Sequence, residues 1–409
     1  MKILIFSQYF WPEAFIINDF VKNLVEQGHE VTVATGKPNY PNGDIFPGYK
    51  ARGLIKEKYL DRVDVVRIPI YPRGRGGAKK MVLNYFSFIF SGLFFFPWLL
   101  RKKKFEAIMV FAPSPIVQTI PAILLKYLKR AHLSIWVQDL WPESLAATNF
   151  VTNPVALKMV GWVVKLIYAR TDTLFVQSKA FMQPILKYAS ADQLVYFPNS
   201  FDSKSMQLDS NFPIAEDLQE VLQKKFSFVF AGNLGTAQSL ETIVKAAQLV
   251  KDVPNCQIVI VGSGSLSKWL ENEIIQNKIK NIFIAGRYPM EAMPTIFSYS
   301  KVLLVTLKKD PLFDLTIPSK IQAYMAAGKP ILAALDGEGG RVINEAGAGI
   351  VCCAEDSVVL AQNMREMCAM SEAQLAIMSK KSKDYFDNNF EMSTQVKYFT
   401  TILNDKINV

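Results

Sequence analysis

The stretch that most constrains the fold is DPLFDLTIPSKIQAYMAAGKP, residues 310–330. Its polar start leads into a predicted helix that begins near Pro318, because proline is favoured in the first turn of a helix. Gly328 ends that helix, and the apolar strand ILAAL follows after Lys329 and Pro330. A loop, a helix and a buried strand in this order predict one unit of an α/β fold.

The start of this helix is also a candidate anion site. Unpaired backbone N–H groups, the positive end of the helix dipole and the Lys320 side chain converge there. We therefore predict that a phosphate or diphosphate binds at this point. An ordinary helix with a surface lysine is the alternative.

Composition sets the broad limits. A chain of 409 residues that is half hydrophobic and one-fifth charged predicts a globular protein of two domains. Its four cysteines have no metal-binding spacing, and its two histidines argue against a histidine-rich metal centre. A reducing compartment suits this cysteine pattern, and Met1-Lys2 leads directly into an apolar strand without a cleavable signal.

Strands and helices alternate along both halves of the chain. Apolar runs such as ILIFS, LSIWVQD and TLFVQS predict parallel strands buried on both faces in the first half. A polar stretch from Asn199 to about Lys225 is the predicted linker, and the pattern restarts with FSFVFAGN. The predicted architecture is two doubly wound α/β domains, whose ligands bind beyond the carboxyl ends of the strands. The crevice between two such domains is the expected site.

The positive charge is concentrated in one segment. Residues 51–104 hold 13 Lys/Arg and 3 Asp/Glu, whereas the rest of the chain holds 33 of each. A basic region of this kind suits nucleic acid, anionic lipid or an anionic substrate. No nucleic-acid-binding motif accompanies it, so we expect no nucleic-acid partner.

An apolar helix lies inside this basic segment. Residues 81–100, MVLNYFSFIFSGLFFFPWLL, are followed at once by RKKK. We expect Pro97 to end or kink the helix, which leaves about 16 residues, or roughly 24 Å, against a hydrocarbon core of about 30 Å. Three interpretations stay open, namely a helix dipping into one leaflet, a buried core helix and a membrane span.

Candidate functional residues cluster where predicted strands end. Glu13 and the aromatic residues of QYFWPEAF, among them Phe15, are candidates for an acceptor pocket. Gln138-Asp139 ends a buried strand, where an acidic group is costly unless it has a partner or a function. In the second half, Gly232–Gly235 allows close approach of a ligand to the backbone, and Arg287 can grip a diphosphate. For Gly262-Ser263-Gly264 a tight turn is the expected role.

Motifs along the whole chain resemble those of one enzyme family, the family-4 glycosyltransferases of GT-B fold. They are YFWPE, EQGHEVTVATGKPNYPNG, VQDLWPESL, FVQSKAF, FPNSFD, FAGNLGTAQSLE, VGSGS and TIPSKIQAYMAAGKPILA. The branch that looks most similar contains the fucosamine-type transferases of bacterial O-antigen and capsule assembly.

The resemblance implies a retaining, metal-independent and cofactor-free transfer from a UDP-sugar to an acceptor held by the N-terminal domain. The implied acceptor is a polyprenyl-diphosphate-linked saccharide, and one donor sugar that the resemblance suggests is an N-acetylated deoxyhexosamine. Asp139, Gln138 and Lys320 are the implied catalytic residues. The implied donor-binding residues are Gly232, Asn233, Leu234, Gly235, Arg287, Asp314, Thr316, Ile317, Pro318, Ser319, Lys320 and Gln322.

The sequence departs from the family pattern at several positions. Asp314 and Gln322 stand where the family has two glutamates, and Gln138 stands where it often has histidine. Asn233 and Gln238 replace the arginine and lysine that grip the diphosphate, so Lys320 and Arg287 are the predicted sources of positive charge. On the family's mechanism, a diphosphate oxygen accepts the acceptor's proton.

The resemblance also implies the organisation and location of the protein. We expect residues 1–198 to form the acceptor domain, completed by residues 386–409 that cross back, and residues 199–385 to form the donor domain. The two domains would face each other across a cleft. Through residues 81–104 we expect a peripheral or monotopic attachment to the cytoplasmic face of the inner membrane. A GT-B sugar-nucleotide epimerase and a non-catalytic scaffold that binds nucleotide-sugar are the alternatives.

Overall fold

The computed structural model describes residues 1–74, 77–204 and 212–407. Its internal contacts divide the chain into two compact units, Met1–Pro198 with Gln395–Val409, and Asn199–Thr394. Each unit has a sheet of its own, covered by helices on both faces. The fold is the predicted one, two Rossmann-like α/β domains with parallel sheets.

The first unit is built on an eight-stranded sheet in the order β3-β4-β2-β1-β5-β6-β7-β8. Its strands are β1 Lys2–Phe6, β2 Glu30–Thr35, β3 Ile55–Tyr59, β4 Val63–Arg67, β5 Ala107–Ala112, β6 His132–Val137, β7 Thr173–Val176 and β8 Leu194–Tyr196. All neighbours are parallel except β3, which pairs antiparallel with β4 at the edge. The sequence analysis did not predict β3, because its polar pattern IKEKY lacks a buried apolar run.

The helices of the first unit occupy opposite faces of this sheet. They are α1 Ile16–Glu26, α2 Ala78–Leu99, α3 Ile120–Lys129, α4 Glu143–Ala147, α5 Pro154–Tyr168 and α6 Met182–Ile185. Right-handed crossovers that run in one direction along the sheet place α2, α3 and α5 on a common face, and α1 on the other. On that other face, Phe20 of α1 packs against Phe399 with ring centroids 5.2 Å apart.

Helix α2 is longer than expected. It has 22 residues and continues for two residues beyond Pro97, so the expected length of about 16 residues is wrong, whereas a kink at Pro97 stays a prediction. Because Pro97 lies so close to the carboxyl end, most of the intrahelical hydrogen bonds precede it. At about 33 Å the helix reaches the thickness of a hydrocarbon core. It is the one helix in the described ranges with the length and hydropathy of a membrane span, and most of its apolar window is not buried.

The second unit has a six-stranded parallel sheet in the order β11-β10-β9-β12-β13-β14. Its strands are β9 Phe226–Ala231, β10 Cys256–Val261, β11 Ile282–Gly286, β12 Val302–Thr306, β13 Ile331–Ala334 and β14 Gly349–Cys352. Its helices are α7 Glu216–Lys224, α8 Leu240–Leu249, α9 Ser267–Gln276, α10 Met293–Tyr299, α11 Pro311–Asp314, α12 Ser319–Ala326, α13 Gly337–Ala346, α14 Ser357–Ala369, α15 Glu372–Asn389 and α16 Met392–Ile407. Most of α16 belongs to the first unit.

Two expectations about the domain junctions need correction. The predicted linker from Asn199 to about Lys225 ends in helix α7, whose Leu218 and Leu222 are buried in the core of the second unit. Residues 205–211 of that linker lie outside the described residues. The segment expected to complete the first unit from residue 386 begins at Gln395, because Phe386 and Phe390 are buried in the second unit's core.

Candidate functional site

Three glycine turns lie side by side at the carboxyl edge of the second unit's sheet. The Gly232 amide donates to the Val261 carbonyl at 2.9 Å, and the Gly262 amide donates to the Gly286 carbonyl at 2.7 Å. Gly262 has φ +147°, and a Cβ atom there would lie 1.9 Å from the Gly232 carbonyl oxygen. This close backbone packing requires glycine at position 262, which sequence reasoning treated only as a tight turn.

A cavity of about 520 Å³ opens at these turns. Its lining includes Gly232, Asn233, Ser263, Gly264, Arg287 and Tyr288. The structure therefore brings together three of the predicted donor-binding positions, Gly232, Asn233 and Arg287. It adds the Gly262–Gly264 turn, which the GxG pattern alone signalled only weakly.

Lys320 lies directly against this edge. Its Cε atom is 2.7 Å from the position of a Cβ atom at Gly232, so its aliphatic stem crosses the glycine. Its ammonium group lies 3.6 Å from the centre of the Phe230 ring and donates a hydrogen bond to the Gln238 side-chain oxygen. Burial lowers the pKa of Lys320 to about 7. A half-buried ammonium with one neutral acceptor can bind an anion well, because an added negative charge would offset its lost hydration.

The residues before Lys320 form the start of α12. Pro318 is the N-cap with an extended backbone, φ −58° and ψ 133°, and the helix begins at the exposed Ser319. Ile317 is buried in the core. The Thr316 hydroxyl donates to the Phe313 carbonyl at 3.3 Å. Of these predicted donor-binding residues, Ser319 is the one whose side chain is exposed.

Asp314 and Gln322, which were also predicted to contact the donor, have different surroundings from Lys320. Asp314 ends α11, and burial raises its pKa, with further contributions from the nearby Asp336 and Asp310 carboxylates. Gln322 is buried, and its amide donates to the Asn199 carbonyl at 2.6 Å. The side chain of Gln322 is thus already engaged within the unit, which weighs against the predicted ribose contact.

The backbone amides of Gly232–Gly235 are not all available to a ligand. The Gly232 amide is bonded to Val261, as described above, and the Leu234 amide donates to the Ser263 carbonyl at 3.0 Å. The Leu234 side chain is buried in the core. Two of the four amides predicted to contact a ligand, those of Gly232 and Leu234, are therefore already hydrogen-bonded. The prediction now applies to the amides of Asn233 and Gly235.

A second polar cluster lies at the carboxyl edge of the first unit's sheet, after β6. Trp141 donates its indole N–H to Asp139 at 3.2 Å. Burial raises the pKa of Asp139, although hydrogen bonds from Ser144, Trp141 and Ser114 oppose the shift. The Gln138 carbonyl accepts from the Gln177 side-chain amide at 2.7 Å. Asp139 thus has the hydrogen-bond partners that a partly buried acidic group needs, and its catalytic role stays a prediction.

Sequence analysis placed Glu13 and Phe15 in an acceptor pocket, and for Glu13 the structure indicates another role. The Glu13 side chain is 1 % exposed and accepts hydrogen bonds from the Phe10, Asn39 and Tyr40 amides. Burial raises its pKa to about 7, although these amides oppose the shift. Because its oxygens are occupied by backbone donors, Glu13 shapes the loop rather than facing a ligand. Phe15 stacks on Tyr9 at 5.4 Å.

The sequence analysis missed Arg73 and Tyr85 beside this aromatic group. The Arg73 guanidinium lies 5.4 Å from the centre of the Tyr40 ring and donates to the Tyr9 hydroxyl at 3.4 Å. Burial raises the pKa of Tyr85, which lies near both Arg73 and Asp139. Neither residue belongs to a recognisable motif, so only the fold reveals their proximity.

The comparisons with known proteins agree with this geometry. Residues 215–384, which include the glycine turns and Lys320, match the family described as glycosyl transferases group 1. This match covers 170 of the 409 residues, so the comparison shows that the second unit is similar to the group 1 glycosyl transferases.

Three known proteins are similar over most of the chain. The putative colanic acid biosynthesis glycosyl transferase WcaI of Escherichia coli (strain K12) is 26% identical over 343 residues, which are 80% of this chain and 82% of WcaI. Sucrose-phosphate synthase from Thermosynechococcus elongatus has a TM-score of 0.69 at 16% identity, over 99% of this chain and 98% of that one. Anabaena Alr3699/HepE in complex with UDP has a TM-score of 0.66 at 14% identity, over 99% and 100%. The two structures establish the likeness in fold.

Proposed function

We propose that this chain transfers a sugar from a UDP-sugar to a lipid-linked saccharide, with retention of anomeric configuration, during assembly of a bacterial surface polysaccharide. The observation that carries the proposal is the half-buried Lys320 ammonium, whose side chain lies across Gly232 at the carboxyl edge of the second sheet. The named role of WcaI in colanic acid biosynthesis and the UDP bound to HepE support it. A fucosamine-type donor is the specificity that we propose from the motifs.

The donor diphosphate would occupy the cavity of the second unit. Arg287 lines that cavity, and Lys320 is beside its glycine floor. As the bond between the anomeric carbon and the diphosphate oxygen breaks, negative charge grows on the leaving UDP. Fixed cationic donors at this place stabilise the transition state, where this charge has grown, more strongly than the ground state. They therefore lower the barrier. We expect no metal ion or other cofactor to be needed.

The acceptor would bind at the edge of the first unit, where Asp139 and Arg73 lie. Its hydroxyl oxygen forms the new bond to the anomeric carbon on the face that the diphosphate leaves, and its proton passes to a diphosphate oxygen. No protein base is required in that sequence. Asp139, already held by the Trp141 indole, would orient sugar hydroxyls. Arg73 would contact an anionic part of the acceptor.

The membrane is the proposed place of the reaction. A polyprenyl-diphosphate acceptor is confined to the bilayer, and residues 81–104 combine an apolar helix with basic residues. We propose that the protein attaches peripherally or monotopically to the cytoplasmic face of the inner membrane.

A donor screen tests the proposal. Purified protein is incubated with a panel of UDP-sugars and lipid-linked acceptors, and products are detected by mass spectrometry. We expect glycosylated lipid and UDP from one donor, and loss of most of that activity in Lys320→Ala. The matched control is Lys268→Ala, an exposed lysine of the same unit.

Three outcomes would contradict the proposal. Near-normal turnover by Lys320→Ala would show that Lys320 is not part of the donor site. Conversion of a UDP-sugar without acceptor would indicate an epimerase. Binding of UDP with no turnover on any donor would indicate a non-catalytic scaffold, a reading that the engaged Gln322 side chain favours.

A further inference from the structure

We propose that the outer surface of α2, α3 and α5 forms one docking face for an anionic lipid bilayer. This goes beyond a contact through residues 81–104, because it adds two further helices and fixes which side of the first unit meets the lipid. The exposed apolar side chains of this docking face are Leu83, Phe86, Phe90, Phe94, Trp98, Tyr127, Leu128, Val155, Met159 and Trp162.

Helix α2 is divided into a buried and an exposed apolar side. Asn84, Phe88 and Phe96 are fully buried, whereas its apolar stripe from Leu83 to Trp98 is 50–75 % exposed. The members of the stripe recur every three or four residues, so they form a continuous line along the helix. A line of phenylalanines open to water is costly, because each exposed ring keeps a large apolar surface in contact with water.

Helix α5 repeats this arrangement independently. Val155, Met159 and Trp162 are 64–66 % exposed and recur at intervals of four and three residues. Val164 and Ile167, on the opposite side, are buried. The apolar stripe of α5 lies outside residues 51–104, so it is an observation independent of the charge and motifs of that segment.

The topology brings the stripes to one side of the molecule. The three helices cover the same face of the sheet, as described above, and the short helical turn Ile116–Thr119 contacts all three. An apolar cavity of about 330 Å³ lies between that turn and α5, lined by Ile116, Val117, Met159 and Val163 among others. The apolar surface is therefore wide rather than a single ridge.

The charged residues of the three helices indicate what binds to the docking face. Helices α2, α3 and α5 contain no aspartate or glutamate, and each contains two lysines. Lys79 and Lys80 precede the stripe of α2, and Arg101, Lys102 and Lys104 follow it, all exposed. By contrast, α1 on the opposite face carries Asp19 and Glu26. An apolar centre on helices whose charged side chains are all lysines, flanked by Arg101, Lys102 and Lys104, matches anionic headgroups over acyl chains.

The contacts of α2 favour a face that lies on the bilayer over a span. The Gln8 side-chain amide donates to the Asn84 oxygen at 2.6 Å, and the Asn84 amide donates to the Tyr71 carbonyl at 2.6 Å. Phe96 packs on Phe6 with ring centroids 5.2 Å apart. Insertion across the membrane would break these core contacts, whereas shallow burial of the exposed stripe keeps them. Arg101 lies over the Trp98 ring at 5.0 Å, a pair suited to the headgroup level.

Vesicle co-sedimentation tests the docking face without any sugar donor. We expect the protein to pellet with phosphatidylglycerol-containing vesicles, weakly with pure phosphatidylcholine, and less as salt rises. Phe94→Glu and Trp162→Glu should each reduce partitioning by about tenfold or more, since each removes aromatic burial and adds a negative charge. The control is Ile275→Glu, an equally exposed apolar residue of the second unit at 73 % exposure. Unchanged pelleting by Trp162→Glu, or equal binding to neutral vesicles, would overturn the proposal.

Tryptophan quenching by brominated lipids provides a second readout that does not depend on charge reversal. We expect Trp98→Phe and Trp162→Phe each to remove part of the quenching, because both indoles would reach the acyl boundary. Loss confined to Trp98→Phe would overturn the three-helix face. A dimer in lipid-free solution that Trp162→Glu converts to monomer would instead assign the face to a second copy. UDP-sugar binding measured on the same variants separates a failure of this proposal from a failure of the proposed transferase activity.

Discussion

At the scale of single residues, the hydrogen bond from Lys320 to Gln238 holds the Lys320 ammonium beside the proposed donor site. Gln238 stands where the family pattern that the motifs resemble has a lysine, and its side-chain oxygen accepts from the Lys320 ammonium. On the proposed function, α12 therefore supplies the positive charge that the resemblance places in the turn after β9. The two residues are 82 positions apart, so the sequence alone could not predict their contact.

A charge-swap experiment follows from this pairing. Lys320→Gln should weaken UDP-sugar binding by about tenfold or more, because a charged hydrogen bond is worth about 1.5–3 kcal/mol. The double variant Lys320→Gln/Gln238→Lys should recover part of that affinity, as measured by calorimetry. Failure of the double variant to bind better than Lys320→Gln, with its fold intact, would show that the two positions are not equivalent.

The lowered pKa of Lys320 predicts a pH dependence. In the unliganded protein this pKa is about 7, so the ammonium loses its proton as pH rises through neutrality. A bound diphosphate stabilises the charged form, and binding above pH 7 must therefore take up a proton. We expect UDP-sugar affinity to fall by up to about tenfold per pH unit above 7. Calorimetry between pH 6 and 9 measures this slope, and Lys320→Met should flatten it; an equal slope in that variant would assign the effect elsewhere.

At the scale of elements, the strand-end turns of the second unit show what sequence could and could not reveal. The apolar runs predicted β9, β10 and β11, because parallel strands covered on both faces have no polar side. The packing of Gly262 against Gly232 was not predicted, since it depends on the lateral distance between two turns. Likewise, the polar edge strand β3 lacks an apolar signal, and α2 is longer than predicted because it extends from Ala78 to Leu99.

Substitution of Gly262 tests that packing. Gly262→Ala places a Cβ atom 1.9 Å from the Gly232 carbonyl oxygen, so the turns must separate. Gly286→Ala is a matched control, because Gly286 also has positive φ, at +76°, yet nothing lies within 4 Å of its Cβ position. Backbone strain alone costs about 1–2 kcal/mol, and we expect Gly262→Ala to exceed the control by roughly 2 kcal/mol in urea unfolding. Equal losses would mean that the turns adapt without cost.

At the scale of the whole molecule, the core of the first unit depends on residues from the end of the sequence. Phe399 of α16 is fully buried and packs on Phe20, Phe175 and Phe197, with ring centroids 5.2–5.9 Å apart. The sequence indicated a C-terminal segment that returns to the first unit. It did not indicate that this segment starts at Gln395, because the start depends on the burial of Phe386 and Phe390 in the core of the second unit.

Truncation of this aromatic residue should destabilise the first unit. Phe399→Ala removes a large buried side chain, and we expect a loss of about 3–5 kcal/mol in its free energy of unfolding. Denaturant unfolding, followed by limited proteolysis to identify the unit that opens, measures the effect. The neighbouring exposed Lys397→Ala is the control. A loss below 1 kcal/mol would mean that α16 is only loosely attached.

The position of α16 also has a consequence for biosynthesis. Domains commonly fold in the order in which a ribosome releases them. Here the first unit is translated first, but its core lacks the Phe399 side chain until the residues after Thr394 have been translated. We therefore expect nascent chains stalled within the second unit to display an incomplete first half, which makes this stage of synthesis the one most exposed to chaperones and proteases.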